Sequence, residues 1–292
     1  MRPADLAIAL SVMLMWGLNF VVAKIGLYHL PPIFFVALRF LLVAAILLPF
    51  VRVPQGSLLQ ILGLSVVLGS LHFTTMFSGL SRIDAGTAAV IVQLQVPFAA
   101  LLAHFVFRDR LGWRSAAGMG LAFAGVLLIT GEPRLSGQEI AVGLVVAGAF
   151  FFAVANIQMK RLGAIDGNAL NAWTAVFAAP QLLLISFAME SGQLEALREM
   201  TWGAAGSLFY QVVVMVIISY ALWYRLLRKY SVGQVMPLTL LLPILGVISG
   251  VLLLDEPMSW QKAVGGLLTV VGVGVIVLRR ARVAEPRTGS TT

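Results

Sequence analysis

Ten apolar stretches of about twenty residues occupy nearly the whole chain, and they constrain its fold more than any other feature. A helix crossing a bilayer needs about 20 mostly apolar residues, because each residue adds about 1.5 Å. Only helices and closed barrels satisfy their backbone polar groups within lipid, and continuous apolar runs favour helices. The sequence therefore predicts an all-α integral membrane protein with ten transmembrane helices, at residues 4–23, 32–50, 57–79, 85–106, 113–131, 139–159, 168–188, 202–225, 232–253 and 261–279.

Composition agrees with this prediction. Hydrophobic residues make up 60% of the 292, charged residues only 11%, and the mean hydropathy is +0.97, whereas a soluble domain is about 25% charged. The absence of cysteine excludes disulfides, thiolate metal sites and thiol nucleophiles. The net charge of +8 comes from scattered basic residues rather than a continuous patch, so we expect the lipid bilayer and no nucleic acid as a partner.

The distribution of basic residues predicts the orientation of the chain. Fourteen Lys and Arg residues fall at the N-terminus, in every second loop and at the C-terminus, and five fall in the remaining loops. By the positive-inside rule, both termini are expected in the cytoplasm. Residues 280–292 are expected to form a flexible basic and polar tail.

An internal repeat divides the chain into two halves. Six residue pairs recur at a constant offset of 147, and Pro97 and Pro243 are one residue out of step. The sequence predicts five-helix repeats at 1–131 and 139–279, and an odd number of helices per repeat inverts the second relative to the first. Inverted repeats of this kind occur in many secondary transporters. The six pairs are Arg82 with Lys229, Gly86 with Gly233, Asp109 with Glu256, Trp113 with Trp260, Gly118 with Gly265, and Gly125 with Gly272.

Polar residues within spans are candidates for function, because they are costly in lipid and usually face a bundle interior or a cavity. In the third span, one helical face carries Ser65, Gly69, His72, Met76 and Gly79. His72 lies close to mid-membrane. It is expected either to line a cavity or to make an interhelical hydrogen bond with a packing role.

Other spans carry further candidates. Trp16 and Asn19 lie in the first span and Asn156 in the sixth, where each asparagine either lines a site or joins two helices. Gln93 and Gln95 point about 200° apart, so at most one faces a narrow central cavity. Tyr220, Trp223 and Tyr224 are predicted to belong to the aromatic belt at the membrane surface. Tyr210 lies too deep in its span for that belt.

Several kinds of chemistry are missing from the sequence. No Asp or Glu lies in the middle of a span, which argues against a central proton relay and favours facilitated efflux. No nucleotide-binding loop, metal-ligand cluster or catalytic triad appears, so no catalytic residue, cofactor or metal is expected. Arg39, the one basic residue inside a span, is expected to hold either an anion or, as the favoured reading, a cluster of structural carbonyl groups.

Several motifs, in order and with duplication, resemble the ten-helix EamA-type exporters of the drug/metabolite transporter superfamily, and most closely their aromatic amino-acid exporters. They are Trp16-Gly17, Asn19-Phe20, Arg39-Phe40, Pro97, Glu256, Gly265 and Gly272. The chain departs from the family at Asp109, where Glu is commonly found.

The resemblance implies an exporter of amino acids, aromatic or neutral, or of related metabolites, in a bacterial inner membrane. It also implies a cavity lined by helices one, three, four, six, eight and nine. On the matching spans, the implied substrate-binding residues are Trp16, Asn19, His72, Met76, Gln93, Asn156, Tyr210 and Thr239.

Three alternatives remain open. A broad drug or cation exporter would normally need a carboxylate within the membrane, and the spans lack one centrally. An integral-membrane enzyme acting on lipid-linked substrates would need a cluster of acids, bases or metal ligands near the interface, which the short loops do not offer. A scaffold would not require an inverted duplication. The sequence is compatible with a monomer or a homodimer.

Overall fold

Ten long apolar helices, α1 to α10, make up the bundle and confirm the predicted fold class. The computed structural model describes residues 1–108, 111–163 and 165–284, without the side chains of Val232 and residues 279–284. Asp109 and the end of the predicted tail lie outside the described residues. The helices are Pro3–Leu27, Pro32–Phe50, Leu58–Leu80, Ala85–Phe107, Trp113–Thr130, Glu139–Leu162, Gly167–Met189, Trp202–Lys229, Gly233–Leu254 and Trp260–Leu278, and the last continues to Ala284.

Irregular turns recur at matching places in the two halves. The third helix of each half contains a wide π segment, at Ser65–His72 in α3 and at Tyr210–Ile218 in α8. The fourth helix of each half contains a tight 3₁₀ segment, at Val92–Leu94 in α4 and at Met236–Leu240 in α9. The duplication visible in the sequence is therefore repeated in the backbone.

Proline explains the 3₁₀ segments. Pro97 and Pro243 follow them closely, and proline cannot donate the backbone hydrogen bond that the residue four positions earlier would accept. The carbonyl groups that lose this partner belong to Gln93 and Thr239. Tighter i to i+3 bonding over the preceding turn satisfies much of the backbone that would otherwise be unpaired within lipid.

Equivalent helices of the two halves lie antiparallel where they touch. In α2 and α7, the backbone N–H of Ile33 donates to Glu190 at one end, and Trp173 donates to the carbonyl of Arg52 at the other. In α4 and α9, Gly86 lies beside Gly250 and Ala89 lies beside Gly246. These contacts confirm that the second half is inverted relative to the first.

Helices α5 and α10 approach most closely through glycines. A Cβ atom on Gly118 would lie 2.7 Å from the carbonyl oxygen of Gly272, and one on Gly265 would lie 2.5 Å from that of Gly125. These two contacts exchange under the 147-residue offset, so a pseudo-two-fold axis passes through the crossing. Small residues allow such backbone approach, which strengthens packing where no hydrophobic effect drives helices together in lipid.

The remaining interhelical contacts follow the same pseudo-symmetry. Helix α1 packs against α8 and α9 of the second half, and its counterpart α6 packs against α3 and α4 of the first. The halves are therefore interlocked rather than side by side. This arrangement brings α1, α3, α4, α6, α8 and α9 together around the middle of the bundle.

The glycine crossing yields a prediction with an internal control. Gly125→Ala would place a methyl group 2.8 Å from the backbone nitrogen of Thr269, and neither backbone can move without shifting a helix. We expect a loss of about 1–3 kcal/mol of stability, measured as a lower thermal midpoint in detergent. Gly120→Ala on the same helix meets no atom within 4 Å and should leave the midpoint unchanged or slightly higher. Equal midpoints for the two variants would contradict the packing.

Candidate functional site

Three of the predicted residues, Trp16, Asn19 and Tyr210, lie at the interface between α1 and α8. The Asn19 side-chain oxygen accepts a hydrogen bond of 2.7 Å from Nε2 of Gln211, and the Tyr210 hydroxyl donates one of 2.7 Å to the carbonyl of Met15. Gln211 is fully buried and its side-chain oxygen is unpaired. Asn19 and Tyr210 are half-buried. These amide and hydroxyl groups lie along one polar line at the α1–α8 interface, away from the helix ends.

Trp16 continues this line toward the start of α1 and the end of α8. Its indole Nε1–H donates to the Ser219 hydroxyl at 2.7 Å. Its ring packs on Trp223 at 5.0 Å and on Tyr220 at 5.9 Å between ring centroids. Trp16 is itself half-buried, so the cluster presents aromatic surface beside a hydrogen-bonding group. Aromatic groups with a polar end suit a ligand that is apolar at one end and polar at the other.

The polar stripe on α3 is a packing surface in this conformation. His72 is buried, and its Nδ1–H donates to the carbonyl of Gly148 on α6 at 2.8 Å; since a carbonyl only accepts, Nδ1 carries the proton. Met76 is buried against the same glycine. At the other end of the stripe, Ser65 accepts a hydrogen bond from Gln181 on α7. Of the two readings given to His72, the interhelical hydrogen bond describes its contacts here.

The repeat relates the contacts of His72 to those of Trp16. By the 147-residue offset, His72 is equivalent to Ser219, and each lies in the third helix of its half. The His72 ring packs on Phe152 of α6 at 5.0 Å, while Ser219 accepts the hydrogen bond from Trp16 of α1. Each half therefore supplies one aromatic side chain from its first helix to a polar side chain on the third helix of the other half.

The other three predicted residues lie on the remaining inner helices. Gln93 is buried in the 3₁₀ turn of α4. In the matching turn of α9, half-buried Thr239 donates to the carbonyl of Met236 at 2.7 Å. Asn156 is half-buried on α6. Within the described residues, no side-chain hydrogen bond joins these three to one another or to the α1–α8 interface.

A cluster of charged residues, Lys24, Asp84, Glu256 and Lys262, lies at one end of the bundle, which we call the Lys24 end. The ammonium group of buried Lys24 donates to the carbonyls of Leu80 (2.8 Å), Ser81 (3.0 Å) and Ile83 (2.8 Å), where α3 ends and no intrahelical donor remains. Lys24 thus fixes the end of α1 to the turn between α3 and α4.

The rest of the charged cluster joins the two halves. Both carboxylate oxygens of Glu256, which precedes α10, accept backbone N–H groups at the start of α4, from Ala85 at 2.5 Å and from Gly86 at 2.9 Å. A carboxylate at a helix N-terminus satisfies unpaired donors and is favoured by the helix dipole. The buried ammonium of Lys262 on α10 pairs with Asp84 at 2.7 Å.

Another ion pair joins the halves at the opposite end, which we call the Asp5 end. The buried Asp5 carboxylate at the start of α1 accepts hydrogen bonds from Lys229 at 2.5 Å and from the Tyr230 hydroxyl at 2.7 Å, where α8 ends. The backbone N–H of Arg2 donates to the same hydroxyl. Helix α1 is thus held by polar contacts at both ends and at its centre.

The substrate-binding residues implied from the sequence leave out four members of the α1–α8 interface: Gln211, Ser219, Tyr220 and Trp223. Trp223 was assigned to the aromatic belt, but it is only 6% exposed and packs against Trp16, whereas Tyr224 is 40% exposed. One available signal was the repeat itself, since the offset from His72 leads to Ser219. The pairing of Gln211 with Asn19 could not be found this way, because it depends on how α1 and α8 are rotated.

The α1–α8 interface has hydrogen-bonding groups and aromatic surface of the kind that bind a small molecule, and both halves contribute to it. Among the described residues, no group of three His, Cys, Asp or Glu side chains could hold a metal ion. Ten apolar helices in two inverted halves, with polar groups between helices of both halves, define a multi-pass membrane protein with the inverted-repeat architecture of many secondary transporters.

Comparison with known proteins identifies the family. The EamA-like transporter family matches residues 4–131 and again 139–278. The chain belongs to this family, with one match in each half.

Named relatives are similar along nearly their whole length. A "Probable amino-acid metabolite efflux pump" of Salmonella typhimurium is 35% identical over 97% of this chain and 100% of its own. A protein of the same name from Escherichia coli is 33% identical over 95% of this chain and 96% of its own. A solved crystal structure, 18% identical, covers 98% of this chain and 100% of its own with a TM-score of 0.63, and at that identity it shows the fold alone.

Glu256 provides a pH-dependent test of the charged cluster. Burial, aided by repulsion from Asp84, raises the pKa of the Glu256 carboxyl above its ordinary value of 4.5, against the opposing effect of the Gly86 and Ala85 N–H groups and Lys262. A group whose pKa is raised by folding contributes stability at low pH and loses it as the pH rises through the folded-state pKa. We therefore expect the thermal midpoint of the wild type, relative to Glu256→Gln, to fall as the pH rises from 4.5 toward neutrality. Parallel profiles of thermal midpoint against pH for the two proteins would contradict a raised pKa of Glu256.

Proposed function

We propose that this transporter exports amino acids, aromatic or other neutral ones foremost, or related metabolites across a bacterial inner membrane by alternating access. The names of the two bacterial relatives support the substrate class. We further propose that Trp16, Asn19, His72, Met76, Gln93, Asn156, Tyr210 and Thr239 line its path, with the α1–α8 group contacting the substrate in the present conformation.

The observation that carries the substrate proposal is the α1–α8 interface. Half-buried Trp16, packed between Tyr220 and Trp223, offers an aromatic face to a ring or aliphatic side chain. The Asn19–Gln211 pair, on the same interface, offers amide groups to a polar head. An amino acid with an apolar side chain has both features.

An uneven distribution of burial supports alternating access. In α4, all seven residues of Ala85–Ile91 at the Lys24 end are buried, but only three of the thirteen in Gln95–Phe107 are. In α9, none of Met236–Leu240, toward the Asp5 end, is buried. In these two helices, the residues toward the Lys24 end are more buried than those toward the Asp5 end. The charged cluster lies where a closed gate would be.

The pseudo-symmetry supplies the second state. Because the halves are inverted copies, exchanging their conformations would open the Lys24 end and close the Asp5 end around the same centre. The positive-inside prediction places the Asp5 end in the cytoplasm. On this orientation, the present conformation is the one that receives substrate from inside the cell, as an exporter requires.

Reconstituted vesicles test the proposed function. We expect counterflow of at least one aromatic or neutral L-amino acid from a panel, and its persistence without a pH gradient. Trp16→Ala should slow this transport about tenfold or more, because it removes the aromatic contact and the hydrogen bond to Ser219. Trp202→Ala is the matched control, since Trp202 is 94% exposed and should have no effect.

Three outcomes would overturn parts of the proposal. Transport of lipophilic cationic dyes but of no amino acid would replace the substrate class with that of a drug exporter. Strict dependence on a proton gradient would contradict facilitated efflux. Equal slowing by Trp16→Ala and Trp202→Ala would remove the α1–α8 interface from the substrate path.

A further inference from the structure

Arg39 on α2 is a buried cation without an oxygen partner. Its side chain is 6% exposed. Within the described part of the chain, it makes no hydrogen bond or ion pair, and the carbonyl cluster favoured from the sequence does not surround it. Removing a charge from water without a compensating partner is costly, and the cost is greater within a membrane.

The other buried basic residues differ from Arg39 in this respect. Lys24 donates to three carbonyl oxygens, and Lys262 pairs with the Asp84 carboxylate. Both lie near a helix end, within the charged cluster. Arg39 lies eight residues into α2, away from either end of the helix. The fold thus supplies oxygen ligands to two of these three buried cations and leaves Arg39, the one farthest from a helix end, without them.

The contacts of Arg39 direct it toward the centre of the bundle. Its guanidinium carbon lies 4.8 Å from the centroid of the Phe73 ring on α3 and 5.9 Å from that of Phe40. Phe73 packs against His72, with ring centroids 4.7 Å apart. Helix α2 itself packs against the π segment of α8. Arg39 therefore extends from α2 toward α3, on a helix that also contacts α8, and both of these helices contribute to the candidate site.

We propose that Arg39 is the anion-binding residue of the substrate site and binds the carboxylate of the transported molecule. This proposal rests on the proposed function and narrows its substrate class to small molecules that bear a carboxylate. A guanidinium presents parallel N–H donors that match the two oxygens of a carboxylate. Its contact with Phe73 holds the planar group in place without using those donors.

The proposal accounts for selectivity as well as affinity. A carboxylate neutralises Arg39 on entering the site, whereas an amide or an amine leaves the cation unpaired. A cationic molecule without a carboxylate is also repelled by the guanidinium. The site should thus discriminate between an amino acid and its amide, which have the same side chain and the same ammonium group.

Calorimetric measurement of ligand binding to the purified full-length protein in detergent tests the role of Arg39. The ligands are L-phenylalanine, L-phenylalaninamide and 3-phenylpropionate, which carries the carboxylate without the ammonium. We expect the wild type to bind the two carboxylates about tenfold or more tightly than the amide. Arg39→Gln should abolish that preference, and Arg39→Lys should keep part of it. Arg82→Gln, an exposed loop variant, should behave as the wild type.

The outcomes separate this proposal from the proposed function. A wild type that binds 3-phenylpropionate but no amino acid would refute amino-acid export and leave the role of Arg39 intact. A wild type that binds the amide as tightly as the acid would refute the role of Arg39 alone. An equal loss of affinity for all ligands in Arg39→Gln would assign a structural role to Arg39. If Arg39→Gln does not fold, the comparison of acid with amide in the wild type and in Arg39→Lys decides the matter.

Discussion

The structure depends on the close antiparallel packing of two inverted halves. In lipid, apolar side chains gain little by leaving one apolar environment for another, so helix association relies on close contact and polar bonds. At the α5–α10 crossing, glycines of the two halves bring their backbones together in two contacts related by the repeat. The pairs α2 with α7 and α4 with α9 are antiparallel as well. Because α1 and α6 pack mainly on the opposite half, neither half encloses the centre alone.

Buried polar groups in this bundle fall into two sets, one at the ends of the helices and one at the centre. At the two ends, carboxylates and ammonium groups satisfy helix termini and join the halves, as Glu256 does for α4 and Asp5 does with Lys229. At the centre, paired amides and a line of aromatic rings lie between α1 and α8. Arg39 fits neither pattern, since it is central, charged and without an oxygen partner in the described chain. On our proposal, the carboxylate of the substrate is the oxygen partner of Arg39.

Much of the fold could be predicted from the sequence, because lipid imposes a length and a composition on every helix. The predicted spans differ from the observed helices by at most five residues, where α10 continues to Ala284, and by four at the ends of α1 and α8. The inversion followed from an odd number of helices per repeat. The site was harder to predict, since helix rotation decides which side chains meet. Trp223 has the composition and depth of a belt residue, yet it faces Trp16. Met76 and His72 share a stripe, and both contact Gly148 of α6.

The inverted arrangement of the halves is tested most directly by labelling introduced cysteines, since the chain has none of its own. Arg82 and Arg228 are exposed and lie at nearly equivalent places in the two repeats. Arg82 lies just after α3, and Arg228 lies in the last turn of α8. In single-cysteine variants on intact cells, a membrane-impermeant maleimide should label Arg82→Cys and not Arg228→Cys, which should react only after the membrane is opened. Labelling of both from the same side would contradict the inverted fold on which the proposed transport depends.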